Sequence, residues 1–180
     1  LLESDGKAIA MRFAQETFAV MAAVLLAFCV GVILFMPQVM TVLAPGFVDT
    51  PERFDLAVQL TRITFVYLPL ISLVALLGGV MNSIGKFAAM ASAPILLNLI
   101  LISSLAVFAD ALDTPGHVLA WGVAAAGFAQ FLWLVEACRR SDVLPRWGWP
   151  RWTPRVASLF RLMLPAMLGA AVVQINLLVD

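Results

Sequence analysis

Charge is what this sequence has least of. Only 12% of its 180 residues are Asp, Glu, Lys or Arg, and eleven bases cancel eleven acids. A formal net charge of zero gives no bulk electrostatic case for nucleic acid or for an acidic soluble partner. There is one histidine, His117, and two cysteines, Cys29 and Cys138, at no metal-ligand or CxxC spacing. That excludes a disulfide framework, a structural zinc and a metal-dependent intramembrane protease as readings of these residues. No GxSxG, HExxH, Walker A or dinucleotide fingerprint occurs, and no pair of carboxylates is set for acid-base work, so no catalytic residue is assigned and the chain is not read as an enzyme. Period-2 alternation is also missing, which excludes a transmembrane β-barrel. The polar first dozen residues and the length of the apolar run after them do not make a signal peptide.

What fills the space is apolar: 63% of residues are hydrophobic and the mean hydropathy is +1.01. Five windows contain no charged residue: Thr17 to Val48, Ile63 to Gly85, Phe87 to Ala109, Thr114 to Val135 and Leu162 to Val179. The shortest covers roughly 27 Å as a helix, close to the ~30 Å hydrocarbon core, and Leu159 and Phe160 extend it. The expected fold is therefore all-α, a polytopic transmembrane bundle of five spans near residues 10–36, 55–84, 92–110, 115–138 and 156–179. The first window is too long for one helix. Pro37 and Leu43-Ala44-Pro45-Gly46-Phe47 divide it, giving a re-entrant or interfacial stretch. Asp49 or Thr50 then caps a second helix with Pro51 in its first turn. Leu1 in place of Met, and the apolar run that stops at Asp180, read as an internal piece of a longer protein.

Orientation follows from Lys and Arg. With odd-numbered helices running outward, Lys7, Arg12, Lys86, Arg139, Arg140, Arg146, Arg151, Arg155 and Arg161 share one face, and only Arg53 and Arg62 lie on the other. Nine against two makes the first face cytoplasmic. The basic loop 139–155 interleaves those arginines with tryptophans, and Arg146, Trp147, Trp149, Arg151 and Trp152 read as an anchor to anionic membrane lipids of the inner leaflet, with no nucleic acid partner.

Within the spans, Ala75, Gly78, Gly79 and Ser83, and Gly122 with Ala126, are candidates for close helix packing. Pro69, Pro94 and Pro165 are candidate kinks. Asn82, Asn98, Gln174 and Asn176 are the polar intramembrane candidates, joined by Gln59 and Gln130, and interhelical hydrogen bonding is their ordinary use. Asp180 ends an apolar run, where a carboxylate must face a cavity, a cation, a basic partner or the outer interface.

These residues fit a transporter without naming its cargo. The series Leu43-Ala44-Pro45-Gly46-Phe47, Leu60-Thr61-Arg62-Ile63-Thr64-Phe65, Tyr67-Leu68, Ile71-Ser72-Leu73, Gly78-Gly79-Val80-Met81-Asn82-Ser83, Phe87 and Ala93-Pro94-Ile95-Leu96-Leu97-Asn98 resembles the MurJ (MviN) lipid II flippase family. Pro165-Ala166 and Gln174-Ile175-Asn176 are similar too, so the likeness runs over nearly the whole chain in order. It implies the third to seventh helices of a two-lobed alternating-access protein of the multidrug/oligosaccharidyl-lipid/polysaccharide exporter superfamily. The implied cargo is lipid II, an undecaprenyl-pyrophosphate-linked disaccharide pentapeptide, carried to the outer leaflet of the bacterial inner membrane for cell-wall assembly. The resemblance places the cavity arginines outside this sequence. It aligns Asp180 with a sodium-binding aspartate of some members, so a sodium ion or the membrane potential is the implied driving force and no cofactor is. Cell-wall synthesis proteins are implied as partners. The family's Phe-Pro-Tyr reads Phe65-Val66-Tyr67 here, with Pro69 three residues on, which shifts the expected kink by about a turn. The alternatives are a polysaccharide or multidrug exporter of the same superfamily and a non-transporting scaffold for cell-wall synthesis.

Overall fold

A computed structural model gives the backbone of residues 2–47, 49–108, 112, 114–145 and 148–179, with side chains for these except 2–5, 7, 8, 166, 167 and 170–179. Among the described residues every regular element is helical: α1 (Leu2–Leu34), α2 (Met36–Leu43), a 3-10 turn (Pro45–Phe47), α3 (Pro51–Phe65), α4 (Tyr67–Ser83), α5 (Ala88–Ala91), α6 (Ala93–Phe108), α7 (Pro115–Arg140) and α8 (Pro154–Val179). Among the described residues, four stretches are long and apolar enough to cross a membrane: Ile9–Leu34, Pro51–Ser83, Ala88–Phe108 and Pro115–Arg140. The fifth expected helix forms as α8, although most of its later side chains lie outside the described residues.

Proline and glycine place the element boundaries. Thr50 caps α3 with Pro51 behind it, and Thr114 caps α7 with Pro115 behind it, positions where the missing proline N–H costs nothing. The Thr50 side chain makes no cap hydrogen bond, whereas Thr114 Oγ1 lies 2.9 Å from His117 Nδ1 and also accepts from the His117 backbone N–H. At the other ends, Gly85 (φ +75°) closes α4 and Asp142 (φ 54°) closes α7. Both are left-handed positions that turn the chain sharply and let later N–H groups reach the last carbonyls, Lys86 to Met81 and Val143 to Cys138. Lys86 Nζ donates to Ser141 Oγ at 2.9 Å and so ties these two turns together.

The chain divides into two compact units. The larger, Met21–Leu144, is organised on α7, which packs on α3, α4 and α6. Its buried side is made of small residues (Ala120, Gly122, Ala124, Ala126, Gly127) with Leu134, and α4 offers Leu73, Val74, Leu77 and Met81. Small against large is how helices approach closely where lipid removes the hydrophobic drive between them. On α6 most side chains are exposed, Ile95, Leu99, Ile102 and Val107 among them, as expected of a helix whose outer side is solvated by acyl chains. A second core joins α2 to α3, with Met36, Met40 and Val58 buried and Val39, Phe54 and Ala57 packed around them. The stretch expected to be re-entrant or interfacial is thus α2 plus the 3-10 turn, seated on the first half of α3.

The smaller unit, Leu1–Val20 with Pro145–Asp180, brings the start of α1 to the loop before α8. Thr153 Oγ1 donates to Glu16 Oε2 at 3.0 Å, and Arg12 Nε pairs with Glu16 Oε1 at 3.2 Å. Ile9 and Phe13 lie beside Leu159 and Leu162 around a cavity of about 510 Å³. With Glu16 level with Thr153 and Ile9 level with Leu159, the two segments run antiparallel there. The charge-derived topology has them pointing the same way. The local pairing follows from the apolar side of the first turns of α8 closing on Ile9 and Phe13.

Candidate functional site

The residues with most to do are those at the helix breaks. A proline inside a helix removes one N–H and leaves the carbonyl four residues earlier without its partner, and in a membrane that carbonyl must be met from elsewhere. Pro37 leaves Ile33 in this state, at the Phe35 break between α1 and α2. Arg62 Nε, from α3, donates to the Ile33 carbonyl at 3.2 Å. Pro69 does the same to Phe65, at the Val66 break between α3 and α4, and the Cys29 thiol of α1 lies 3.8 Å from that carbonyl. The rings of Phe28 and Phe65 meet at 6.0 Å beside it. The break therefore falls at Val66, three residues before the buried Pro69.

The third break, Ser92 between α5 and α6, precedes Pro94. Two residues one turn apart on α7 serve it. Gln130 Nε2 donates to the Ala93 carbonyl at 2.6 Å, and Trp133 Nε1 donates to Ser92 Oγ at 2.9 Å and to the Ala89 carbonyl at 3.2 Å. Gln130 is fully buried, and its Oε1 meets no donor among the described residues. Pro165 differs from these, because α8 runs through it without a break.

Close packing is found at Gly78 and Gly122 of the candidate positions, not at Gly79, and at further glycines that the sequence pattern does not mark. A Cβ on Gly78 would come within 2.5–2.9 Å of the Met90 side chain, whereas one on Gly79 meets nothing within 4 Å. Ala75, Gly79 and Ser83 lie on the exposed side of α4. The small-residue stripe expected to pack through Gly79 therefore faces away from the packed side, which is turned by Gly78. Gly122 lies against Ser104 and Leu101 of α6, with Ala126 buried one turn on. Gly127 is the tightest approach that the pattern misses: a Cβ there would sit 2.8 Å from the Tyr67 ring and 3.1 Å from Leu70. Gly116, against Leu60, is another. Nothing in sequence spacing marks them, since each depends on the side chain opposite.

Of the polar candidates, Asn82 and Asn98 are exposed, while the Gln174 and Asn176 side chains and Asp180 lie outside the described residues. In the basic loop, Trp149 is 88% exposed, Arg151 is exposed, and Trp152 is 63% exposed with its ring tilted against Phe160 at 5.2 Å. Arg146 and Trp147 lie outside the described residues. At the end of α7, Glu136 holds Arg139 and Arg140 at 2.6 and 2.7 Å. No cluster of three metal-ligating side chains occurs among the described residues.

The arrangement is a packed α-helical membrane segment whose bends are closed by side chains. Comparison with known proteins is in keeping with it. A family described as "Lipid II flippase MurJ" matches residues 2–180. The chain is 40% identical to a "Probable lipid II flippase MurJ" of Rhizobium tropici, over 99% of this chain and 34% of that protein. It is 38% identical to one of Haemophilus influenzae over 73% of this chain and 26% of that protein. The "Lipid II flippase MurJ" of Burkholderia cenocepacia is 34% identical over 76% of this chain and 27% of its own length. The chain thus spans about a third of the length of the curated relatives it matches. With a match over residues 2–180, this chain belongs to the MurJ family of lipid II flippases.

Proposed function

We propose that the protein to which this segment belongs moves lipid II from the inner to the outer leaflet of the bacterial cytoplasmic membrane. The observation that carries this is the family match over residues 2–180, in a chain whose helices are built to span a membrane. The physics supports a shared labour between the protein and the bilayer. A polyprenyl tail stays in hydrocarbon at no cost, while a pyrophosphate and a sugar-peptide headgroup need a polar, cation-lined path. The segment described here supplies the scaffold for that path: α7 packed on α3, α4 and α6, with bends at Phe35, Val66 and Ser92. The headgroup-binding arginines belong to the part of the longer relatives that this chain does not cover. Asp180 is proposed as one ligand of a coupling sodium ion, and Trp149, Arg151 and Trp152 as the inner-leaflet anchor. Transport, with no bond made or broken in the cargo, is the activity. Cell-wall synthesis proteins that use lipid II outside are the proposed partners.

The test is complementation. The complete protein, expressed in cells depleted of their own lipid II flippase, should restore growth and cell shape. Depleted cells that lyse despite correctly inserted protein would refute the assignment and favour an exporter of another polymer.

A further inference from the structure

The Phe35 and Val66 breaks lie opposite one another on two antiparallel helices, and each helix serves the carbonyl opened on the other. Cys29 and Ile33 are one turn apart on α1, and Arg62 and Phe65 one turn apart on α3. The contacts cross between them: Arg62 to Ile33 at 3.2 Å and Cys29 to Phe65 at 3.8 Å. Beyond the breaks, Met36 and Met40 of α2 and Val58 of α3 form a buried core, with Val32 of α1 also against it, and Thr61 Oγ1 donates to Met40 Sδ at 3.8 Å. Among the described residues of 36–65, α2 and α3 are therefore packed on one another and joined to the spans below at two prolines. At both joints a backbone hydrogen bond is replaced by a longer side-chain contact.

We propose that residues 36–65 form a hinged unit on the outer side of the membrane, and that Arg62 is the positioning residue that sets its angle through the Ile33 carbonyl. The proposal rests on the transport reading, and it gives that reading a moving part. A backbone N–H at residue 37 would fix the helix in one direction, because helical bonds tolerate little change of geometry. A guanidinium on a flexible stem can hold the same carbonyl over a range of angles, and it offers further donors as the angle changes. Arg62 is also the last charged residue before the charge-free window that begins at Ile63. It therefore sits where the span leaves hydrocarbon, at a depth where a cation can be kept. Where α3 rests on α7, Leu60 lies against Gly116, a position with no side chain to lock it.

The experiment uses the complete protein in lipid nanodiscs, with spin labels at Asp55→Cys on α3 and Trp121→Cys on α7, both exposed, and the buried Cys29 and Cys138 left in place. Pulsed electron-paramagnetic-resonance distances then report the angle directly, without any cargo. Wild type should give a broad or two-peaked distribution. Pro37→Ala with Pro69→Ala restores both backbone bonds, and should narrow it to one peak. The same variant, folded and inserted, should slow transport about tenfold, the rate equivalent of one hydrogen bond's worth of free energy. Arg62→Ala should shift the distribution, Arg62→Lys should restore it, and Arg62→Ala in the Pro37→Ala background should have no further effect. Identical distributions in wild type and the double-proline variant would overturn the hinge, whatever the cargo. A distribution that narrows as expected in a protein that does not move lipid II would leave the hinge standing and remove the cargo assignment.

Discussion

Gly127 is where the packing account is most exposed to refutation. The α4–α7 contact is extensive, and Gly127 lies in it at the level of the Val66 break. A Cβ there would stand 2.8 Å from Tyr67 Cδ2, 3.1 Å from Leu70 Cδ1 and 3.4 Å from Leu70 Cβ. The first of these is a ring atom, which cannot fold away as the end of a methionine can, and ordinary carbon contact needs ~3.5–4.0 Å. Gly127→Ala therefore asks the two helices to part by several tenths of an ångström or the tyrosine to leave its rotamer, costing about 1–3 kcal/mol. Gly127→Leu forces separation and should exceed that range. Thermal melting of the complete protein in detergent, with the fraction inserted, measures both. The expected order is wild type, Gly127→Ala, Gly127→Leu, and Tyr67→Leu should recover part of the Gly127→Ala loss, because neighbours in contact couple. Equal melting for all three proteins, or additive losses for the Tyr67–Gly127 pair, would refute the reasoning.

The remaining expectations concern caps, breaks and sidedness. Trp133→Phe keeps an aromatic ring but removes the N–H shared by Ser92 Oγ and the Ala89 carbonyl, so hydrogen exchange should rise selectively over residues 88–92 while the α7 core stays protected. Gln130→Leu removes a second, side-chain donor from the Ala93 carbonyl, which as the first acceptor of α6 keeps its helical partner, so the loss should be about 0.5–1.5 kcal/mol by thermal melting, and Gln130→Glu should melt lower still because it buries an acid against that oxygen. Thr114→Ala should lose about 0.5–2 kcal/mol of stability at the start of α7, with Thr114→Ser retaining most of it, as read by thermal melting. A single cysteine at Trp149 should react with an impermeant thiol reagent only from the cytoplasmic side, and one at Asp55 only from outside; the reverse pattern would overturn the topology.

Much of the fold is written in local chemistry. Charge-free windows become helices because a backbone in hydrocarbon has to satisfy itself, and Thr50-Pro51 and Ala93-Pro94 mark starts because proline fits only there. The break near Phe65-Val66-Tyr67 is legible for the same reason. What resists reading is whatever depends on the residue opposite. Gly78 and Gly79 are neighbours and the small-residue spacing favours Gly79, yet only Gly78 faces Met90, because an approach is set by the rotation of α4 against its neighbours. Arg62 counts as an outer-side charge in the topology, and nothing in its spacing shows that Ile33 lies across from it. Cys29 looks inert until the Phe65 carbonyl is seen beside it. Gln130 stands among many amides, and its use shows only once the start of α6 is seen beside it on another helix. The direction of α8 against α1 resists for a related reason. It depends on which apolar side chains meet it, Ile9 and Phe13 of α1 here, and not on the charge count.

The central claim, transport of lipid II, is tested most directly with the complete purified protein in sealed vesicles containing labelled lipid II. An impermeant enzyme that cleaves the headgroup is added outside. Vesicles with the protein should lose nearly all of the label, because the inner pool is delivered outward, while protein-free vesicles lose only the outer half. Loss that stops at the outer half in vesicles shown to hold folded protein, with and without a sodium gradient or a membrane potential, would contradict the account.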